Sequence, residues 1–131
     1  MFHLDPAFIR PAYDGLGFTA IPGSIAGLLG CGLGWTSASG GWTSACGGWP
    51  STSAIPLAPQ ILAGLPQHYR KVVVFLVDGF GWRFFEKFAG SHPALRRFQD
   101  HGTVTRLTSQ FPSTTAAHIT CLHSGLEVGQ S

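Results

Sequence analysis

The chain has 131 residues, enough for one domain with a core of its own. Charged residues make up 11% of the sequence and hydrophobic residues 44%, which excludes a highly charged disordered chain. The formal net charge is +2 without any run of like charges, so the basic patch expected of a nucleic-acid-binding protein is missing.

The compositional signals of secretion and membrane insertion are weak. Three cysteines without a Cys-x-x-Cys motif predict buried or idle thiols rather than a disulfide framework. Asp5 and Pro6 interrupt the N-terminus where a secretory signal needs an apolar run. The uncharged segment 15–35 contains Pro22 and repeated glycines, which argues against a spanning helix of about 20 apolar residues. We expect a cytoplasmic protein without a membrane partner.

Composition changes sharply near residue 70. From residue 15 to residue 69 the sequence contains no Asp, Glu, Lys or Arg, and from Arg70 onward charges return in a helix-like mixture. Glycine, serine and tryptophan dominate part of the uncharged stretch. The change divides the chain into an N-terminal extension of the core (1–33), a low-complexity insertion and linker (34–69) and a core region (70–131).

A short repeat lies inside the insertion, in the form GWTSASG, GWTSACG and GWPSTS. It spaces Trp35, Trp42 and Trp49 seven residues apart, but Gly and Ser at most positions argue against a coiled coil. The repeat therefore predicts an irregular segment over residues 34–53. The alternative is that the three tryptophans form a stacking platform for a sugar or a peptide.

The core region begins with an apolar run, KVVVFLV, over residues 71–77. Such a β-branched run, ending in Asp-Gly, is typical of a strand that is covered on both faces in a parallel sheet. Next, Phe80, Phe84 and Phe88 recur every four residues, which predicts a short helix that Gly90 ends.

Three further elements follow. A second helix is predicted from Pro93 to His101, with Leu95 and Phe98 facing inward and a glycine as its stop. The alternation in TVTRLT predicts a strand over residues 103–108, and the next helix runs from about residue 114 to 124. The order strand, helix, helix, strand, helix indicates an α/β fold with a parallel sheet.

Asp78 follows the first predicted strand, at the carboxyl edge of the sheet where open α/β sheets bind ligands. A carboxylate there is a suitable oxygen ligand for a metal ion. The alternative is that Asp78 only caps the turn that follows it. A dinucleotide-binding fingerprint is excluded, because its third glycine would fall at Phe84.

The segment FPSTTAAH (111–118) forms a second candidate site. Pro112 precedes Ser113, Thr114 and Thr115, whose hydroxyls would stand at the positive end of a helix. That position suits a phosphate group, and a hydroxyl there could act as a nucleophile if a cation lowered its pKa. The alternative is an ordinary N-cap formed by Ser113 or Thr114.

Taken together, VVVFLVDGFGW and TSQFPSTTAAHITCLHSG resemble the start of the catalytic domain of the type I phosphodiesterase and nucleotide pyrophosphatase family, within the alkaline phosphatase superfamily. The resemblance covers about residues 70–131, with a weaker echo in PAYDGLGFTAIPGSIAGLLG. It implies a partial alkaline-phosphatase-like sandwich. It also implies hydrolysis of phosphodiester or pyrophosphate bonds in a small phosphoester or nucleotide.

The same resemblance implies roles for individual residues. Asp78 corresponds to a metal ligand, and Thr115 corresponds to the nucleophile, which is also a metal-bound oxygen. A complete family site holds two zinc ions. Where the family's nucleotide pyrophosphatases carry an Asn that holds a phosphate oxygen, this chain has His118, which could donate a similar hydrogen bond or be an ordinary helix residue.

The family's remaining Asp and His ligands correspond to positions beyond Ser131. The resemblance therefore predicts an N-terminal portion of a catalytic domain, which holds zinc weakly and is inactive by itself. The second hypothesis is a catalytically silent fragment or truncated gene product, with the Trp-rich segment as a binding loop. The sequence leaves the substrate, the oligomeric state and the choice between Thr114 and Thr115 open.

Overall fold

A computed structural model of the chain describes residues 10–31, 33–36, 41–44 and 56–129. The described elements, in chain order, are α1 (Ala20–Leu28), β1 (Leu33–Thr36), β2 (Gly41–Ser44), a 3₁₀ turn (Pro59–Ile61), α2 (Trp82–Phe88), α3 (Pro93–His101) and α4 (Thr115–Ser124). Strands β1 and β2 form an antiparallel pair in which Trp35 lies opposite Trp42.

The predicted parallel-sheet sandwich is wrong. The β1–β2 pair is the only sheet among the described residues, and residues 71–77 form no strand. Residues 103–107 also lack a ladder, and Thr108 makes only an isolated parallel bridge to Gly17. An apolar run is stable as a central strand only when other strands and covering layers flank it. Within the described part of the chain, no segment pairs with residues 71–77.

The prediction of an irregular segment over residues 34–53 is also wrong in part, because β2 and most of β1 fall inside it. The proposed stacking platform lies partly outside the described residues. Trp49 lies outside the described residues, and for Trp35 and Trp42 the structure describes the backbone pairing alone. The domain limits at residues 34 and 70 stay predictions.

The helices of the core region are confirmed. Helix α3 begins at Pro93, which needs no backbone N–H donor in the first turn, and its C-cap is Gly102. Helix α4 ends at Gly125, whose φ of 69° is the left-handed conformation typical of a glycine that terminates a helix. One detail is wrong: Phe98, expected to face inward, is 63% exposed.

The buried core is small and lies around α1. Within this helix the buried residues are Ala20, Pro22, Gly23, Ser24 and Ala26. Helix α1 packs against α4, whose one buried residue is Cys121. The Ser24 hydroxyl donates to the Ala20 carbonyl and accepts a hydrogen bond of 2.7 Å from the Leu57 backbone N–H. This hydroxyl therefore attaches the segment after residue 56 to α1.

Thr108 connects the N-terminal segment to the chain that leads into α4. Its backbone N–H donates to Leu16 at 3.0 Å, and its carbonyl accepts from Phe18 at 2.9 Å. Its hydroxyl accepts from the Ala12 N–H at 2.7 Å. Gly17 lies inside this contact, where a Cβ would overlap the Ala12 carbonyl oxygen, so no larger residue fits. The connection holds Phe18 close to α4.

The two cysteines that the structure describes are in different states. Cys31 is disulfide-bonded, which corrects the expectation of idle thiols, whereas Cys121 is a free and buried thiol as expected. No helix in the described part of the chain is long and apolar enough to cross a membrane.

Candidate functional site

The structure brings Asp78 and Thr115 into one cleft of about 550 Å³. This volume lies within the usual range for small-molecule sites. Its walls come from the loop after residues 71–77, from residues 107–109, from the first turn of α4, and from the N-terminal segment. The lining residues are Phe18, Leu76, Val77, Asp78, Gly79, Phe80, Gly81, Phe84, Leu107, Thr108, Ser109, Ser113, Thr115 and His118.

Asp78 uses its two carboxylate oxygens differently. Its Oδ1 accepts a hydrogen bond of 2.9 Å from the backbone N–H of Gly79, which is the turn-capping contact. Its Oδ2 accepts a hydrogen bond of 3.0 Å from the Thr115 hydroxyl. Gly79 has a φ of 70°, a conformation that favours glycine, and this tight turn fixes the carboxylate at the start of the loop. The turn cap and the contact with Thr115 are therefore compatible.

The adjacent threonines have separate contacts. Thr114 is the N-cap of α4, and its Oγ1 accepts from the Ala117 backbone N–H at 3.2 Å. Thr115 is the first residue of the helix, and its hydroxyl donates to Asp78. The ordinary N-cap is therefore present at Thr114, while the Thr115 hydroxyl faces the carboxylate in the cleft. Both threonines are exposed, as a group that meets a substrate must be.

His118 lines the same cleft, one helical turn after Thr115. Its ring lies against that of Phe18, with 4.4 Å between the ring centroids. Its Nε2 atom is buried and has no hydrogen-bond partner within the described residues. Sequence reasoning did not single out Phe18, although this residue lies in the GLGFTAIPGS segment that carries the weak N-terminal echo of the family.

The described residues do not complete a zinc site. Asp78 and Thr115 offer two ligand residues, whereas a catalytic zinc ion usually has three protein ligands and an open position. Nowhere in the described ranges do three or more His, Cys, Asp or Glu side chains cluster closely enough to hold a metal ion. The donor types suit a metal, but their number does not.

The cleft contains a carboxylate and an alcohol at the start of a helix. An anionic ester bound there would lie beside a hydroxyl that can act as a nucleophile. Comparison with known families gives this site a more specific context. Residues 72–130 match the family model described as "Type I phosphodiesterase / nucleotide pyrophosphatase", which confirms the resemblance over that segment. The match contains Asp78, Thr115 and His118. No curated protein and no solved structure matches the chain.

Proposed function

We propose that this chain carries part of the active site of a hydrolase that cleaves phosphodiester or pyrophosphate bonds with Thr115 as the nucleophile. The observation that supports this most directly is the hydrogen bond of 3.0 Å from Thr115 Oγ1 to Asp78 Oδ2 inside an open cleft. The family match favours a small phosphoester or nucleotide as the substrate.

In this proposal Thr115 Oγ1 loses its proton to solvent and attacks phosphorus, and the bond from phosphorus to one bridging oxygen breaks, so that the leaving group departs and takes up a proton. Thr115 then holds the phosphoryl group together with the remaining substituent of the substrate, and water later hydrolyses the bond between Thr115 Oγ1 and phosphorus. Asp78 orients the Thr115 hydroxyl through the hydrogen bond described above. The backbone N–H groups at the start of α4 lie at the positive end of the helix dipole and favour negative charge on the phosphoryl oxygens. His118 Nε2 is buried and has no hydrogen-bond partner among the described residues, and in this proposal it becomes accessible when the substrate binds and donates a hydrogen bond to one of those oxygens.

Zinc, when bound, would supply positive charge next to Thr115 Oγ1, with Asp78 as its carboxylate ligand. Because Asp78 and Thr115 are two ligand residues rather than a full set, we propose that this chain binds zinc weakly. An unassisted threonine hydroxyl is a poor nucleophile, so the chain should not react without added zinc, and with its incomplete ligand set it should not turn over repeatedly when zinc is added. The competing function, a catalytically silent product, is favoured by the same incomplete ligand set.

The test is the incubation of the full 131-residue chain with a bis-nitrophenyl phosphodiester, in the presence and in the absence of zinc. We expect zinc-dependent release of nitrophenolate that stops at or below one equivalent per chain. Mass spectrometry should find the retained phosphoryl group on Thr115, and Thr115→Ala should lose it. The matched control is Thr114→Asn, which removes the neighbouring hydroxyl but keeps a good N-cap and should be labelled normally.

Each other outcome would reject part of the proposal. Modification of Thr114, or labelling that survives Thr115→Ala, would exclude Thr115 as the nucleophile. No modification at any zinc concentration would favour the silent product. Repeated zinc-dependent turnover that Thr115→Ala abolishes would show that the ligand count underestimates the metal affinity of this chain.

A further inference from the structure

A second cleft adjoins the cleft that contains Asp78 and Thr115. Its volume is about 550 Å³, and its walls come from residues 81–86 and 106–109. The two clefts are continuous, because five residues line both of them: Gly81, Phe84, Leu107, Thr108 and Ser109. A substrate bound next to Thr115 could therefore extend into the second cleft.

Two arginines line this second cleft. Arg83 comes from α2, and Arg106 precedes the residues of the shared wall. Both are exposed, and within the described part of the chain neither guanidinium forms an ion pair or a hydrogen bond. Glu86 lines the same cleft and forms an ion pair with neither arginine. The cleft therefore has an excess of positive charge and two guanidinium groups that are available to a ligand.

The chemistry of these groups indicates a phosphate as the ligand. A guanidinium group presents a planar set of N–H donors that can form two parallel hydrogen bonds with two phosphate oxygens. Two such groups in one cleft favour a group with more than one negative charge, because each cation attracts each charge. A neutral part of a substrate, such as an alkyl or aryl group, would gain nothing from them.

The position of the second cleft agrees with the direction in which a leaving group departs. In phosphoryl transfer the attacking and leaving oxygens lie roughly in line, on opposite sides of phosphorus. Asp78 and the cleft residues of α4, Thr115 and His118, line the first cleft but not the second. The second cleft thus adjoins the wall that α4 does not form. A phosphorus atom beside Thr115 Oγ1 would direct its leaving group toward this wall.

We propose that Arg83 and Arg106 bind the leaving phosphate of a pyrophosphate substrate, and that they make this site prefer pyrophosphates to simple phosphodiesters. The inference rests on the proposed function, which sets the position of the reacting phosphorus. When the bond from this phosphorus to the bridging oxygen breaks, that oxygen keeps the electron pair and the leaving phosphate gains a negative charge. The two guanidinium groups stabilise this charge. The leaving group of a phosphodiester has no second phosphate to bind in the cleft.

The first experiment is isothermal titration calorimetry of the full 131-residue chain with methylenediphosphonate, a pyrophosphate analogue without the cleavable bridge. The buffer contains no zinc, because diphosphonates also bind metal ions. Arg83→Gln and Arg106→Gln should each weaken binding about threefold, as expected for an exposed ion pair, and the double variant about tenfold. Glu86→Gln should strengthen binding about threefold, because it removes a negative charge from the cleft.

The opposite signs of these effects distinguish ligand binding from damage to the fold, which would not strengthen binding. The matched control is Arg97→Gln, which removes an exposed arginine that lines neither cleft and should leave the affinity unchanged. The inference would be overturned by a native chain that does not bind methylenediphosphonate, by equal effects of Arg97→Gln and the cleft variants, or by weaker binding in Glu86→Gln.

The second experiment separates this inference from the proposed function. It compares the zinc-dependent rate of Thr115 modification by symmetrical diphenyl pyrophosphate with that by a bis-nitrophenyl phosphodiester. The double arginine variant should lower the first rate about tenfold more than the second. Equal slowing with both substrates would overturn the inference and leave Thr115 as the nucleophile. Absence of modification by both would reject the proposed function, whereas the calorimetry would still decide whether the two arginines bind a second phosphate.

Discussion

At the scale of single residues, Cys121 is the side chain whose chemistry the fold changes most clearly. It is the one buried residue of α4 and is 1% exposed. Burial, and secondly the negative charge of Glu127, raises the pKa of the Cys121 thiol above its ordinary value. Since both effects disfavour the thiolate, Cys121 is a packing residue rather than a nucleophile.

This shift predicts a loss of stability at alkaline pH. A thiol with a raised pKa in the folded state keeps its proton, while the unfolded chain releases it above about pH 8.5. The contribution to the free energy of unfolding is therefore complete below the unfolded pKa and is lost as pH rises toward the folded pKa. Urea denaturation between pH 7 and pH 10 should show this decline in the native chain and a smaller decline in Cys121→Ala. Identical slopes in the two proteins would contradict the assignment.

The candidate site shows what sequence can and cannot provide at this scale. Asp78 and Thr115 are 37 residues apart in the chain. Asp78 was a candidate because it lies at a turn after a predicted strand, and Thr115 was a candidate because it lies at a predicted helix start. Their proximity was expected only from the family resemblance. Phe18 was missed because its contact with His118 depends on the backbone pairing of Leu16 and Phe18 with Thr108, which no local pattern encodes.

At the scale of elements, the helices of the core region were predictable and the sheet was not. Pro93, Gly102 and Gly125 are local signals, because each acts through its own backbone preference. A strand needs a partner elsewhere in the chain, and the apolar run at residues 71–77 has none within the described part. The β1–β2 pair was missed although its Trp and Thr residues favour strands, because the Gly and Ser residues of the repeat were interpreted as an irregular segment.

The N-cap of α4 gives a prediction at this scale. Thr114 Oγ1 accepts from the Ala117 N–H, and loss of such a cap costs about 1 kcal/mol. Thr114→Ala should therefore lower the free energy of unfolding by about this amount, whereas Thr114→Asn should leave it nearly unchanged. Chemical denaturation followed by circular dichroism measures both. Equal destabilisation by the two variants would mean that the threonine methyl group, and not the cap, stabilises this helix start.

At the scale of the whole molecule, burial is uneven. Five residues of α1 are buried, and the contact of Thr108 with the N-terminal segment links this region to α4. Helices α2 and α3 contain no buried residue, and Ala89, directly after α2, is the nearest one. The amphipathic helices of the core region therefore lack a covering surface among the described residues, although local sequence is sufficient to define their limits.

Uneven burial predicts uneven protection from hydrogen exchange. Local opening requires little free energy where few apolar contacts must be broken, so the amides of α3 should exchange fastest among the helices. The amides of Phe18 and Thr108 and those in the middle of α1 should exchange slowest. The measurement is native-state hydrogen exchange of the full chain, followed by mass spectrometry. Equal protection of α3 and α1 would contradict this prediction. It would mean that α3 is held by contacts that the described residues do not provide, and that the small core around α1 is not the main source of stability.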